Sequence, residues 1–291
     1  MSAGVQLRPM RVADLQFAAA LTLAEKWNSE TLTEFEGFHA HDPAGCLLAE
    51  CDGVPVGIGV ASAYGKLGFL GEIIVVPPWR GRGVGGQLVA GLLAHLRARG
   101  VESILLDATE AGAPLYERHG FQAVQRSLRY SGTPSGAGAA AAGAVRPMRR
   151  ADLDAVCALD LQWWGADRSF FLRRRWQLYP GLCHVLDAGG GIDGYLFGRQ
   201  RPAGLWIGPW AAASHVPQPE SLVEALVAST AAGAGVLVHA GVLASSHRGR
   251  AALERLGLAA GSDAPRRMLC GLQAALGDDA RILANGTSAK G

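Results

Sequence analysis

The chain repeats itself, and no other feature limits its possible folds as much. Arg8-Pro9-Met10-Arg11 with Ala13-Asp14-Leu15 recurs as Arg146-Pro147-Met148-Arg149 with Ala151-Asp152-Leu153, an offset of 138. Leu115-Tyr116-Glu117-Arg118-His119-Gly120-Phe121 recurs as Ala252-Leu253-Glu254-Arg255-Leu256-Gly257-Leu258, an offset of 137. Two matches in the same order at nearly one spacing mark a duplicated domain, because each copy far exceeds the roughly 20–50 residues of a solenoid repeat. The 291 residues also suit two domains at about 100–200 residues each. Between the copies, Ser131 to Ala144 is uncharged and dominated by Gly and Ala, a linker composition with too little apolar bulk to pack. The expected organisation is a first domain over 1–132, a flexible linker over 133–144, a second domain over 145–276 and a C-terminal tail over 277–291.

The first copy reads as mixed α/β. Ala13 to Lys26 is Ala/Leu-rich and suits a helix, with Asp14 placed where an acidic group favours the helix dipole. Cys46 to Glu50 and Val54 to Ala63 flank the Asp52-Gly53 turn as a hairpin. Phe69 to Val76 is a strand stopped by Pro77-Pro78. Apolar residues then recur at 84, 88, 89, 92, 93 and 96, with Gly100 just beyond, which is helical period and a helix stop. Ser103 to Asp107 is a short buried strand, Ala113 to His119 a short helix ended by Gly120, and Phe121 opens a last strand.

Charge and cysteine content exclude some function classes. The 27 basic and 25 acidic side chains leave a net charge of +2, which argues against nucleic-acid binding driven by bulk charge. Cys46, Cys51, Cys157, Cys183 and Cys270 form an odd set with no CxxC pair and no metal-ligand spacing, as expected of buried thiols in a reducing compartment. MSAGVQLRPMR lacks the apolar core of a signal peptide. Ala225 to Val242 has no Asp, Glu, Lys or Arg, but its glycines and His239 suit a helix, a turn and a buried strand better than a membrane span. A cytoplasmic protein without a membrane partner is expected.

The stretch that carries chemistry is Gly71-Glu72-Ile73-Ile74-Val75-Val76-Pro77-Pro78-Trp79-Arg80-Gly81-Arg82-Gly83-Val84-Gly85-Gly86. A strand runs into a glycine-dense turn that opens a helix. Gly81, Gly83 and Gly85 let the backbone bend and present successive N–H groups, which together with the helix dipole suit a phosphate. Arg80 and Arg82 add positive charge. No Gly-Lys-Ser/Thr follows, so this is not a Walker A loop. Gly81-Arg-Gly-Val-Gly-Gly86 matches G-x-G-x-x-G, but it follows three earlier strands and Glu102 lies behind a long helix, unlike a dinucleotide fingerprint.

Arg80-Gly81-Arg82-Gly83-Val84-Gly85 resembles the R/Q-x-x-G-x-G/A signature of the GNAT superfamily, the acyl-CoA-dependent N-acyltransferases. Val75-Val76-Pro77 before it, and Asp107-Ala108-Thr109 and Pro114-Leu-Tyr-Glu-Arg-His-Gly-Phe121 after it, follow the family's order over residues 5 to 130. The resemblance implies tandem domains, each a mixed sheet flanked by helices, with the fourth and fifth strands splayed around an acyl-CoA thioester. It implies acetyl-CoA as co-substrate and no metal. The backbone of Val75 and Val76 would pair with the pantetheine arm. Residues 80–86 (Arg80, Gly81, Arg82, Gly83, Val84, Gly85 and Gly86) and Thr109 would complete the cofactor site. Tyr116 matches the family's general acid, which protonates the departing thiolate. Glu72 is a candidate general base, with a water chain as the alternative. A primary amine of a small molecule would attack directly. A protein N-acetyltransferase and a non-catalytic acyl-CoA sensor are the alternatives, and monomer and homodimer both stay open.

Aligning Leu88 with Leu222 and Leu92 with Leu226 turns Arg80 into Ser214, Gly83 into Pro217 and Gly85 into Pro219. Prolines fix φ and delete donors, and Tyr116 becomes Leu253. The second copy is therefore expected to keep the fold, bind no CoA and do no chemistry, serving as packing surface or part of the acceptor pocket. Trp27-Asn28, Trp163-Trp164, Trp206 to Trp210 and Arg173 to Trp176 are its and the first copy's further candidates for acceptor contacts, against a plainer reading as core aromatics and a solvated arginine face.

Overall fold

The repeated Arg-Pro-Met-Arg stretch builds the same corner twice. In the computed structural model, which describes residues 4–27, 30–134, 145–187, 189–231, 233–272 and 278–287, Arg8 donates to Asp14 at 2.6 Å and Glu50 at 2.8 Å. Arg146 likewise donates to Asp152 at 2.7 Å and Asp187 at 2.8 Å. Each inner aspartate also accepts the backbone N–H three residues before it, Arg11 at 2.7 Å and Arg149 at 2.6 Å. The guanidinium hydrogen bonds hold Asp14 and Asp152 below the usual carboxylate range. The repeat thus encodes a clamp between the first strand, the first helix and the second strand of each copy.

In chain order the elements are β1 (Gln6–Pro9), α1 (Leu15–Ala24), α2 (Leu32–His41), β2 (Cys46–Cys51), β3 (Val54–Tyr64), β4 (Leu67–Val75), α3 (Val84–Ala98), β5 (Ser103–Ala108), α4 (Ala113–Glu117) and β6 (Gln122–Gly132). There follow β7 (Val145–Pro147), α5 (Leu153–Trp164), α6 (Ser169–Leu178), β8 (Cys183–Asp187), β9 (Ile192–Arg201), β10 (Gly204–Ala212), α7 (Ser221–Ala228), β11 (Val238–Leu243), α8 (His247–Arg255), β12 (Ala259–Ala260), β13 (Arg266–Gly271) and β14 (Ile282–Ala284).

By internal contacts the described chain falls into two units, 4–124 with 266–272 and 125–265 with 278–287. The first unit's sheet runs β1-β2-β3-β4-β5-β13, antiparallel except for β4 beside β5. The second runs β7-β8-β9-β10-β11-β6, antiparallel except for β10 beside β11, with β12 on β6 and β14 on β10. The division differs from boundaries drawn at 132 and 145. The strand opened by Phe121 pairs with β11, from Val238↔Gly132 to Leu243↔Ser127. β13, late in the second copy, completes the first unit's sheet from Arg266↔Ala108 to Gly271↔Ser103. Each unit is thus closed by a strand from the other copy. Most of the linker, residues 135–144, and residues 277 and 288–291 of the tail lie outside the described residues.

The helical stripe read from the sequence is the core face of α3: Val84, Leu88, Val89, Leu92, Leu93 and Leu96 are all buried. Small residues on the strands below let the helix sit close. A Cβ on Gly59 would lie 2.9 Å from Leu92, and one on Gly198 in the second unit 3.0 Å from Leu226. Full burial of each such leucine contributes about 1.5–3 kcal/mol. The second repeated stretch is a helix stop. Gly120 (φ 86) and Gly257 (φ 82) take the left-handed conformation, and Phe121 and Leu258 donate back to the carbonyls of Tyr116 and Leu253.

Several local expectations need adjustment. The helix expected from Ala13 begins as one tight turn, Val12–Asp14, before α1. α2 was not foreseen, although Phe35 and Phe38 on it are buried. The uncharged Ala225–Val242 stretch is α7's end followed by β11, and no described helix is long and apolar enough to cross a membrane. Trp163 stacks on Tyr195 and Trp210 is fully buried, so these tryptophans belong to the second unit's interior. Trp206 stacks on His239, and Arg175 donates to the Gly208 carbonyl at 3.2 Å. The expected C-terminal tail, 277–291, contains β14, whose Leu283 and Ala284 are fully buried.

Candidate active site

β4 and β5 pair only at Leu67↔Ser103, Gly68↔Ile104 and Phe69↔Leu105. Beyond Phe69, β4 follows β3 as far as Val75, while β5 follows β13. The two strands splay, leaving one edge of β4 without a strand partner. The parity of that edge follows from the register. Gly57 stands opposite Val75, and the Val76 N–H donates to the Val56 carbonyl at 3.0 Å. Val75 is therefore in a non-hydrogen-bonded pair, so its N–H and C=O face the gap. This corrects one expectation: the Val76 amide is spent on β3 and is not a free donor.

The gap opens on a cavity of about 470 Å³. Its lining joins β4 (Ile73, Ile74 and Val75), the turn and helix start (Arg80, Gly81, Gly83, Val84, Gly85 and Gly86), and α4 with the residues flanking it (Ala111, Gly112, Leu115 and Arg118). Glu25, Trp27 and Trp79 complete it. Gly81 (φ 74) and Gly83 (φ 82) hold left-handed backbone, and Gly83 is the residue from which α3 starts. Gln87 donates the helix's first bond, to the Gly83 carbonyl. The N–H groups of Val84, Gly85 and Gly86 thus have no intrahelical acceptor, and Gly83 has no side chain to cap them. With no acidic residue in the first turn, the helix start offers three donors and a positive potential. Gly85 keeps α4 close, since a Cβ there would lie 3.2 Å from Leu115 Cδ2.

Arg80 lines the cavity, but its guanidinium is engaged by the Val75 carbonyl (2.9 Å) and by Glu25. Arg82 lies 5.2 Å over the Trp79 ring and does not line the cavity. Thr109 does not line it either. Its Oγ1 accepts the Gly112 N–H at 3.1 Å, so it shapes the entry to α4.

Tyr116, on α4 next to the lining residue Leu115, is half-buried with its ring edge-on to Phe121 at 6.0 Å, and neither it nor Glu72 is itself part of the lining. Burial, and next the negative charge of Glu72, push its phenol well above the ordinary tyrosine range. It is therefore protonated at every physiological pH. Glu72 is 5% exposed and lies where β4 bulges, since Glu72 and Ile73 together stand opposite Gly59. Its φ of 53 is the left-handed region, rare for a glutamate. The carboxylate accepts from Thr22 Oγ1 of α1 at 3.2 Å. The bulge, invisible in the sequence, fixes which face this side chain takes.

Other parts of the unit escaped sequence reasoning. Glu25, just past α1, lines the cavity without any sequence signal; Trp27, named above as a candidate for acceptor contacts, lines it too, and Asn28 lies outside the described residues. Arg267 of β13 forms a buried ion pair with Asp107 of β5 (Nε–Oδ1 2.5 Å) and lies 5.0 Å over the Phe69 ring. Burial pushes the Cys46 and Cys183 thiols up to about 12, which leaves neither fit to be a nucleophile. Among the described residues no group of His, Cys, Asp and Glu could hold a metal ion.

Residues 11–121 match the acetyltransferase (GNAT) family and residues 156–283 an acetyltransferase (GNAT) domain. The chain belongs to the GNAT family, with two such domains. Among curated GNAT relatives, it is 40% identical to the mycothiol acetyltransferase of Thermobispora bispora over 105 residues, 33% of this chain and 36% of that protein. It is 35% identical to the glucosamine 6-phosphate N-acetyltransferase of Trypanosoma brucei brucei over 63 residues, 22% of this chain and 43% of that one. The chain therefore spans less than half the length of either relative. A crystal structure of a putative acetyltransferase from Pyrococcus horikoshii shares the fold with TM-score 0.81 at 21% identity, covering 100% of this chain and 97% of that one.

Proposed function

We propose that the first unit transfers an acetyl group from acetyl-CoA to a primary amine of a small molecule. The observation that carries this reading is the single cavity that joins the open edge of β4, the uncapped start of α3 and the helix bearing Tyr116. Val75 N–H faces the gap and suits strand-like pairing with the amide-bearing arm of the donor. The amides of Val84, Gly85 and Gly86 suit its diphosphate. The names of the relatives, mycothiol acetyltransferase and glucosamine 6-phosphate N-acetyltransferase, favour a small acceptor over a protein one.

The amine nitrogen bonds to the thioester carbonyl carbon, and a β4 amide at the bulge stabilises the resulting oxyanion. The C–S bond then breaks. Tyr116, which keeps its proton at neutral pH, gives it to the departing thiolate. The amine proton leaves to the Glu72 carboxylate, directly or through water. No covalent enzyme intermediate is needed.

The test is release of free thiol across a panel of amines, with calorimetry of CoA binding beside it. Tyr116→Phe is expected to lower kcat by about 100-fold or more, the usual weight of general acid–base catalysis, while CoA affinity stays. Full turnover in that variant would remove Tyr116 from the mechanism. CoA binding without turnover on any amine would point instead to a sensor.

A further inference from the structure

The second unit repeats the splay. β10 and β11 pair in parallel at Leu205↔Val238, Trp206↔His239 and Ile207↔Ala240, then diverge, as β4 and β5 do after three pairs. Here, however, β14 runs through the gap. It pairs antiparallel with β10 at Trp210↔Ala284 and Ala211↔Ile282. Ala212 N–H donates to the Arg281 carbonyl at 3.0 Å, and on the opposite flank Asn285 N–H donates to the Gly241 carbonyl of β11 at 2.7 Å. The segment is therefore hydrogen-bonded to both splayed strands.

The element corresponding to α4 holds it as well. Ser246 Oγ, at the start of α8, donates to the Ile282 carbonyl at 2.7 Å, and Arg248 Nη1 donates to the Ala280 carbonyl at 3.0 Å. Leu283 and Ala284 are fully buried. Two glycines leave room for the passing backbone. A Cβ on Gly249 would lie 2.3 Å from the Leu283 carbonyl oxygen, and one on Gly208 1.9 Å from that of Asn285. Both of these closest approaches are to the backbone of the inserted segment.

We propose that the second unit's cleft is a slot for an extended peptide, and that its resident ligand is the chain's own residues 280–285. The slot reads main chain through β10, β11 and α8, and accepts an apolar side chain at the Leu283 position. Its occupant lies where the first unit would seat the donor arm. That comparison rests on the acetyltransferase reading, whereas the slot and its occupant do not. The second unit is thus closed to acyl-CoA by occupation as well as by the prolines at 217 and 219, and it is complete without a cofactor.

Hydrogen–deuterium exchange on the full chain tests this. Amides of residues 282–285 are expected to exchange at least about 100-fold slower than in a free peptide of residues 278–287, as bonded buried amides do. Leu283→Asp puts a carboxylate at a fully buried position and should release the segment, speeding exchange there while β4 and β5 keep their protection. A labelled peptide of residues 278–287 should then bind the Leu283→Asp chain and not the wild type, which has its slot filled. Exchange at the free-peptide rate in the wild type would overturn the proposal, as would equal binding of the peptide by both chains. If Leu283→Asp does not fold, the wild-type exchange rates decide alone. Loss of acetyl transfer in the first unit would leave all these readouts unmoved.

Discussion

Gly83→Ala isolates the contribution of one backbone conformation to donor binding. Gly83 holds φ 82 and ψ −2 at the point where α3 begins, and a Cβ there would meet nothing within 4 Å. The substitution therefore creates no internal clash. Its cost is conformational, about 1–2 kcal/mol for a residue with a Cβ in the left-handed region. Without ligand the turn relieves that strain by relaxing. Binding a diphosphate requires the amides of Val84 to Gly86 to converge again, so the strain reappears as lost affinity of about 5–30-fold. Calorimetric titration with CoA reads this directly. Gly83→Asn supplies the control, because asparagine tolerates left-handed backbone better than alanine, and it should recover most of the affinity. Wild-type affinity in Gly83→Ala would refute the link between this conformation and binding. Asparagine binding more weakly than alanine would place the loss in a clash with the ligand.

Asp107→Ala strands the buried Arg267 guanidinium without its ion-pair partner and should destabilise the first unit by about 3–5 kcal/mol, seen as an earlier urea midpoint for signals from that unit. His184 is buried and its desolvated ring is pushed down to about 4. It stays neutral in the folded second unit, so stability is full above the unfolded value near 6.5 and declines as pH falls toward 4. The total loss is about 3 kcal/mol at one pKa unit per 1.36 kcal/mol; urea midpoints against pH check it, and His184→Leu should flatten that slope. Because the Tyr116 phenol is raised, any alkaline fall in kcat assigned to it should begin above the ordinary tyrosine value of about 10, and a limb below that value would belong to another group.

Features that depend on near neighbours in the sequence were legible, and those that depend on pairing were not. The helical stripe on α3, the glycine turn and the helix stops at Gly120 and Gly257 are local devices, and each appears where its residues stand. The repeated Arg-Pro-Met-Arg is a clamp, but it is strand pairing that brings Arg8 to Glu50 and Arg146 to Asp187. The exchange of β6 and β13 leaves no trace in composition, since an alternating strand can pair with either sheet edge. The same reason hid the Val76 amide. One residue of register decides whether an N–H faces β3 or the gap, and the bulge at Glu72 resets that parity. β14 escaped notice because three apolar residues in a polar stretch are too short a signal.

A crystal structure of the full chain with CoA would test the central reading most directly. The expected result places the diphosphate against the N–H groups of Val84, Gly85 and Gly86. The pantetheine arm should hydrogen-bond to Val75 N–H, and the sulfur should lie within reach of the Tyr116 hydroxyl, while Val76 N–H stays on Val56. CoA bound away from the gap between β4 and β5, or lying there with its sulfur remote from Tyr116, would contradict it.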